Sequence, residues 1–210
     1  RAKLTILAGD MGDGKSFVCA DLASRLSKGT PFPDGFACPT GEVLLINTED
    51  DPGDTTVPRL HEAGADRTKI EIYMGLGNEE TGEKGRLDLA RDLPLIEEFL
   101  ANHPETQLVI IDPLGSFSGD RNLNAYHEVY GTLGPLNELA GQYDTSILGV
   151  VHLNKGEALS AKHRVTGSTA IMAAARCAWI ALRDPDSEDR KRRLFLPLKQ
   201  NNSAGDDTGL

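Results

Sequence analysis

The sequence predicts an α/β fold: a mostly parallel sheet flanked by helices, with an antiparallel pair of strands at the C-terminal end. Three observations lead there. Strand-like and helix-like segments alternate along the whole chain, as in successive βαβ units. The strand-like segments are continuous apolar runs, such as "EVLLIN" and "QLVIID", which suits strands covered on both faces. Finally, three glycines fall within six residues of "AGDMGDGKSF", directly after a strand and before a helix. Glycine costs stability in regular structure, so such a cluster needs a reason.

The elements follow in order. "KLTILA" reads as the first strand. "KSFVCADLASRLSKG" reads as a helix with Val18, Leu22 and Leu26 on one face and Gly29 as its stop. "TPFPDGFACPTG" is a Pro/Gly loop, and "EVLLIN" a buried strand. "DTTVPRLHEAGA" predicts a short helix capped by Asp54 or Thr55, with Pro58 in its first turn. "IEIYM" is a strand, "GLGNEETGEKGRL" a polar loop, "LPLIEEFLANH" a helix and "QLVIIDPL" a strand. After the polar loop "SFSGDRNLNA", "YHEVYGTLGPLNELAGQY" predicts a helix broken or bent near Gly134-Pro135. "TSILGVVHL" is a strand, "NKGEALSAKHRVTGS" a loop, "TAIMAAA" a small-residue helix and "RCAWIAL" a strand. "DPDSEDRKRR" is a charged turn into the closing strand "LFLPLKQ", where Pro197 points to a sheet edge. No internal repeat or domain boundary is visible. A single domain over residues 1–210 is expected. The start at Arg1, directly before a strand, suggests a fragment of a longer chain.

Composition narrows the function. The chain has 210 residues, 39% hydrophobic and 26% charged, enough for one domain with a substantial core. Its formal net charge of −10 argues against a general polycation coating nucleic acid, while leaving room for a local basic channel. No apolar run approaches the ~18 residues of a membrane span, and no secretory leader is visible. The three cysteines, Cys19, Cys38 and Cys177, have no metal-ligand spacing and an odd count. They are expected to be reduced thiols that fill the core of a cytoplasmic protein.

Gly9, Gly12, Gly14, Lys15 and Ser16 fit G-x-x-x-x-G-K-[ST] at every fixed position, in the strand–helix context that the motif requires. Phosphate oxygens must approach backbone N–H groups closely, and a Cβ would block them. The helix N-terminus adds positive partial charge. Lys15 is expected to reach the β- and γ-phosphates of a nucleotide, and Ser16 to bind Mg²⁺ through its hydroxyl. Magnesium also needs a carboxylate at the end of a neighbouring strand. "LLINTED" offers Glu49 and Asp50, and "LVIIDP" offers Asp112. Asp112 follows four apolar residues and fits the metal-side acid; Glu49 is then free to polarise the attacking water. His152 ends the strand of "VVHLN", at the sheet edge where ligands of open α/β sheets collect, and can sense the γ-phosphate.

With these residues the chain resembles the RecA-like P-loop ATPases, specifically the RepA-type hexameric replicative helicases of plasmids and the related AAA_25 group of phage and plasmid ATPases. The resemblance runs through "AGDMGDGKS", "LLINTEDDP", "PRLHEAGAD", "LVIIDPLGSF", "VVHLNKG", "RVTGSTAIMAAARCAW" and "LPLKQNN". It implies a RecA-like core, ATP and Mg²⁺ as cofactors, and a hexameric ring with ATP at each subunit interface. The nucleotide would lie along Gly9, Asp10, Met11, Gly12, Asp13, Gly14, Lys15, Ser16 and Phe17. Glu49 would be the catalytic glutamate, Asp112 the Mg²⁺ ligand beside Ser16, and His152 the γ-phosphate sensor. Arg176 would be an arginine finger acting on the neighbour's ATP, and Lys199 a second basic residue reaching across the interface. Such helicases often carry another basic residue two positions later; here that position is Asn201. Arg59 would lie near the base.

The resemblance also implies single-stranded DNA as a partner, running past the loops that follow Asp112 and His152. The first loop offers Arg121, Asn122 and Asn124; the second offers Lys155, Lys162, His163 and Arg164. Phe117 is the only aromatic between Asp112 and Asn124, so no stacking cluster marks the first loop. A regulatory or assembly ATPase of KaiC-like architecture is the main alternative, and the acidic balance suits it. A small-molecule kinase lacks an arginine-rich lid here. An inactive scaffold would not need Lys15, Ser16, Glu49 and Asp112 together.

Overall fold

The computed structural model describes residues 2–48, 50–74, 89–117, 126–153, 168–189 and 191–200. Seven strands form one sheet: β1 (Leu4–Gly9), β2 (Glu42–Asn47), β3 (Ile70–Tyr73), β4 (Thr106–Asp112), β5 (Ser146–His152), β6 (Cys177–Arg183) and β7 (Arg193–Gln200). Their order is β3-β2-β4-β5-β1-β6-β7. All pairs are parallel except β6 with β7, as the sequence predicts. Five helices flank the sheet among the described residues: α1 (Lys15–Lys28), α2 (Val57–Glu62), α3 (Leu89–Asn102), α4 (Tyr126–Gln142) and α5 (Ser168–Ala174).

The continuous apolar runs are explained by two cores. Along β1, Leu4, Ile6 and Ala8 face one core, with Ile96, Leu100, Leu133 and Ile171 of α3, α4 and α5. Leu7 faces the other, with Cys19, Ala23 and Leu26 of α1 and Leu60 of α2. On β4, Val109 and Ile111 point one way, Leu108 and Ile110 the other. Successive side chains alternate between faces, so both parities must be apolar when both faces are covered.

Several predicted boundaries move. In α1 the buried stripe runs through Cys19, Ala23 and Leu26, while Val18 and Leu22 only flank it. The small residues let the helix lie close to the sheet. The second helical segment starts earlier than predicted. Asp51, rather than Asp54 or Thr55, caps it by accepting the N–H groups of Gly53 and Asp54, and a wide turn at Pro52–Thr56 leads into α2. Helix α3 also starts earlier, at Leu89, and contains Pro94. Helix α4 is continuous through Gly134-Pro135. Proline removes one donor to the carbonyl four residues back, here that of Gly131, which is exposed and can be solvated. Pro197 does lie on an edge strand, β7.

Among the described residues no helix is long and apolar enough to cross a membrane. The three cysteines are free thiols; Cys19 and Cys38 are buried and Cys177 is partly exposed. Burial, and then the neighbouring Asp112 carboxylate, push the Cys19 thiol well above its ordinary range. It therefore stays protonated and a poor nucleophile. Titration of the native chain with an aromatic disulfide reagent at neutral pH is expected to label Cys177 first. Cys19 and Cys38 should react only when the chain is unfolded; rapid labelling of all three under native conditions would contradict this packing.

Candidate functional site

Four parallel strands end on one edge of the sheet. β1 ends at Gly9, β2 at Asn47, β4 at Asp112 and β5 at His152. Register places Gly9 opposite His152, and Asn47 opposite Asp112. The sheet thus delivers two polar pairs to the same rim, where the loop after β1 turns into α1. A cleft of about 310 Å³ opens there. Met11, Gly12, Gly14, Lys15, Ser16, Phe17, Asn47, Asp50, Arg59, Asp112 and His152 line it.

The loop is held by its own backbone and side chains. The Asp13 N–H donates to the Asp10 carbonyl at 3.2 Å, and the Asp10 N–H donates to Asp13 Oδ2 at 3.0 Å. The Lys15 ammonium is buried and donates to the carbonyls of Gly9 and Asp10, each at 2.9 Å. Its Nζ lies 3.3 Å from His152 Nδ1. The Ser16 hydroxyl donates to Asp112 Oδ2 at 3.3 Å. A buried cation, a buried carboxylate, a hydroxyl and an imidazole thus converge at the start of α1.

The three glycines are required for two different reasons. Gly12 and Gly14 have φ of +82° and +91°, a region that L side chains adopt at a cost. Nothing lies within 4 Å of a Cβ added at either position. At Gly9 the problem is space: a Cβ would sit 2.5 Å from the Ala181 carbonyl on β6. The expected steric reason, room for a ligand's approach, is therefore joined by handedness at two positions and strand packing at the third.

The sequence-predicted residues fall into four groups. Lys15, Ser16, Asp112 and His152 come together, with Asp10 and Asp13 shaping the loop. Met11 and Phe17 are exposed beside the cleft. Arg59 stacks over the Phe17 ring, 5.4 Å from its centroid, and forms an ion pair with Asp50 at 2.6 Å. Arg176 and Lys199 lie elsewhere. Arg176 is exposed, and its N–H donates to the Leu4 carbonyl at the start of β1. Five residues of strand separate that point from Gly9, or about 16 Å. The Lys199 ammonium donates to the carbonyls of Met172, Ala173 and Ala175 at 2.7, 3.3 and 2.8 Å, closing the C-terminus of α5. Glu49, Arg121, Lys155, Lys162 and Arg164 lie outside the described residues.

One cleft residue, Asn47, and one residue that supports the loop, Arg193, are not singled out by the sequence. Asn47 is the buried last residue of β2, and its Oδ1 accepts the Asp50 N–H. Asp50, which the sequence offers beside Glu49, lines the cleft. The sequence shows only an Asn that closes an apolar run; its place opposite Asp112 comes from strand register. Arg193 ends the charged run that the sequence reads as a turn, but it is the first residue of β7, and its guanidinium reaches the loop, donating to the Gly12 carbonyl at 3.2 Å.

A glycine loop between strand and helix, a buried lysine at the helix start and a hydroxyl on a strand-end carboxylate define a P-loop nucleotide-binding domain. The AAA domain family, AAA_25, matches residues 1–158, and the chain belongs to that family. No curated protein matches it. Among solved structures, 527 chains match, so the fold is widespread and does not select a function by itself. One of them is a solved ATPase domain, at 12% identity and a TM-score of 0.71, covering all of this chain and 80% of that one. The fold is that of a RecA-like ATPase, as the sequence resemblance implies.

The glycine analysis makes a prediction. Gly9→Ala must displace β6 and is expected to lower unfolding stability by about 1–3 kcal/mol. Gly12→Ala meets no neighbour and should cost about 1–2 kcal/mol through backbone strain alone. Denaturant melts of both variants check this. The crystal structures of the variants should show a shifted β6 only for Gly9→Ala.

Proposed function

We propose that this domain binds and hydrolyses Mg²⁺–ATP as the motor of a ring-forming replicative DNA helicase of plasmid or phage type, with ATP between subunits. The convergence of Lys15, Ser16, Asp112 and His152 on one rim supports the chemistry. The separation of Arg176 from that rim supports the ring.

In this reading Lys15 binds the β- and γ-phosphates, exchanging its backbone carbonyl partners for phosphate oxygens. The glycine loop supplies N–H groups to the same phosphates. Ser16 and Asp112 already share a hydrogen bond, and both offer the hard oxygen donors that Mg²⁺ takes. When bound there, Mg²⁺ would neutralise charge developing on the phosphates. Glu49 polarises the attacking water. His152 touches Lys15, so a γ-phosphate seated on the lysine would be felt by the imidazole. Arg59 and Phe17, stacked on each other, offer a flat cationic and aromatic surface to the base.

The single observation that carries the ring is distance. Arg176 sits at the opposite edge of the sheet from its own P-loop, about 16 Å of strand away. An exposed arginine there can serve ATP only in a neighbouring subunit. Lys199 would join it across the interface only by leaving three carbonyls of α5. Single-stranded DNA would pass the loops bearing Arg121, Lys155, Lys162 and Arg164. The formal charge of −10 favours the second reading, a regulatory ATPase of KaiC-like type that hydrolyses ATP without DNA.

Two measurements test these readings. Lys15→Ala should abolish hydrolysis. Arg176→Ala should bind ATP normally and hydrolyse it at least about tenfold more slowly. Mixing the two inactive variants should restore partial activity, because some interfaces then combine an intact P-loop with an intact arginine. No recovery in mixed oligomers shown to form, or full activity in a strict monomer, would remove the shared site. Separately, an oligo-dT strand should raise the ATPase rate severalfold, with the effect weakening as salt rises. A rate indifferent to DNA would favour the regulatory reading.

A further inference from the structure

The P-loop is braced from outside by the β6–β7 hairpin. Gly9 packs against the Ala181 carbonyl of β6, at a spacing that leaves no room for a side chain. Three residues further along the loop, the Gly12 carbonyl accepts a hydrogen bond from Arg193, the first residue of β7. The hairpin itself is stiffened by Trp179 and Phe195, whose rings stack with centroids 4.7 Å apart and planes parallel.

Arg193 opens β7 next to the turn. Its cross-strand partner is Arg183, so two like charges stand opposite each other at the turn end of the hairpin. Arg192, the next residue back, forms an ion pair with Asp184.

The geometry points to a purpose at the loop. A trans peptide directs its C=O and N–H to opposite sides. With the Gly12 carbonyl turned out to Arg193, the N–H of Asp13 turns inward, where it donates to the Asp10 carbonyl. That same carbonyl accepts from the Lys15 ammonium. One peptide plane and one shared carbonyl therefore link the Arg193 guanidinium to the lysine. Gly12 by itself allows many orientations of this peptide. We propose that Arg193 is a positioning residue for nucleotide binding, whose guanidinium fixes the Gly12–Asp13 peptide and so sets the loop for phosphate in the same subunit. This rests on the nucleotide reading of the P-loop.

The test uses the full chain and a fluorescent ribose-labelled ATP, mant-ATP, with Mg²⁺. Arg193→Met removes both charge and donor. Arg193→Gln keeps an N–H donor without charge. Arg192→Met removes an adjacent cation that does not touch the loop. Arg193→Met is expected to raise the Kd for mant-ATP about five- to tenfold, the size of losing one net hydrogen bond at an exposed position. KM for ATP should rise by a similar factor while kcat at saturation stays within about threefold, since the same loop serves ground and transition states. Arg193→Gln should recover part of the affinity, and Arg192→Met should bind within about twofold of wild type. Thermal melts without nucleotide should leave all three variants folded, because Arg193 begins an edge strand and Arg192 precedes it.

Wild-type affinity in both Arg193 variants would overturn the proposal. So would an Arg192→Met loss equal to that of Arg193→Met, which would reduce the effect to bulk charge. A kcat loss with unchanged KM would also overturn it. If wild type itself fails to bind mant-ATP, the nucleotide reading falls and takes this role with it. If wild type binds and Arg193 does not matter, only the role of Arg193 falls.

Discussion

The buried ammonium of Lys15 constrains its whole neighbourhood. An isolated charge out of water costs several kcal/mol even after relaxation, so the fold must surround it with acceptors. Here the carbonyls of Gly9 and Asp10 turn inward, and His152 approaches from the next strand. Turning both carbonyls toward one point forces the loop into a tight arc. That arc is what requires left-handed glycines at 12 and 14. The close approach of β1 to β6, the register of β1 with β5 and the position of α1 all serve the same enclosure.

Much of this was legible in the chain. The glycine–lysine–serine spacing located the loop, because each of those residue types answers a local demand. The apolar runs located the strands, because a sheet covered on both faces leaves no polar parity. Boundaries were less legible. The sequence offers Asp54 and Thr55 as caps next to Pro58, whereas the fold starts the turn earlier, at Asp51, and only the chain's path out of β2 decides this. Asn47 and Arg193 were illegible for a different reason. Their importance comes from register and from hairpin pairing, contacts 65 and 181 residues away in sequence, which no local pattern encodes.

The two basic residues carried over by resemblance show where a motif stops informing. Arg176 is exposed at the sheet edge remote from the cleft, a position compatible with work on another subunit. Lys199 is engaged within its own chain. It holds the end of a seven-residue helix, α5, that is too short to be stable without tertiary support. Arg176 follows that helix by two residues. The lysine therefore anchors the segment that presents the arginine, whatever else it does in an assembly.

The contrast between Gly9 and its two companions bears on how such sequences decay. A descendant that abandoned phosphate chemistry would be released from Lys15 at once, since an empty cradle has no use for a buried cation. It would be released from Gly12 and Gly14 as soon as the arc relaxed. Gly9 would persist, because the strand beside it still leaves no room for a methyl group. The first glycine of the motif is thus a fossil of the fold, and its presence in a degenerate relative reports neighbouring strands rather than surviving activity.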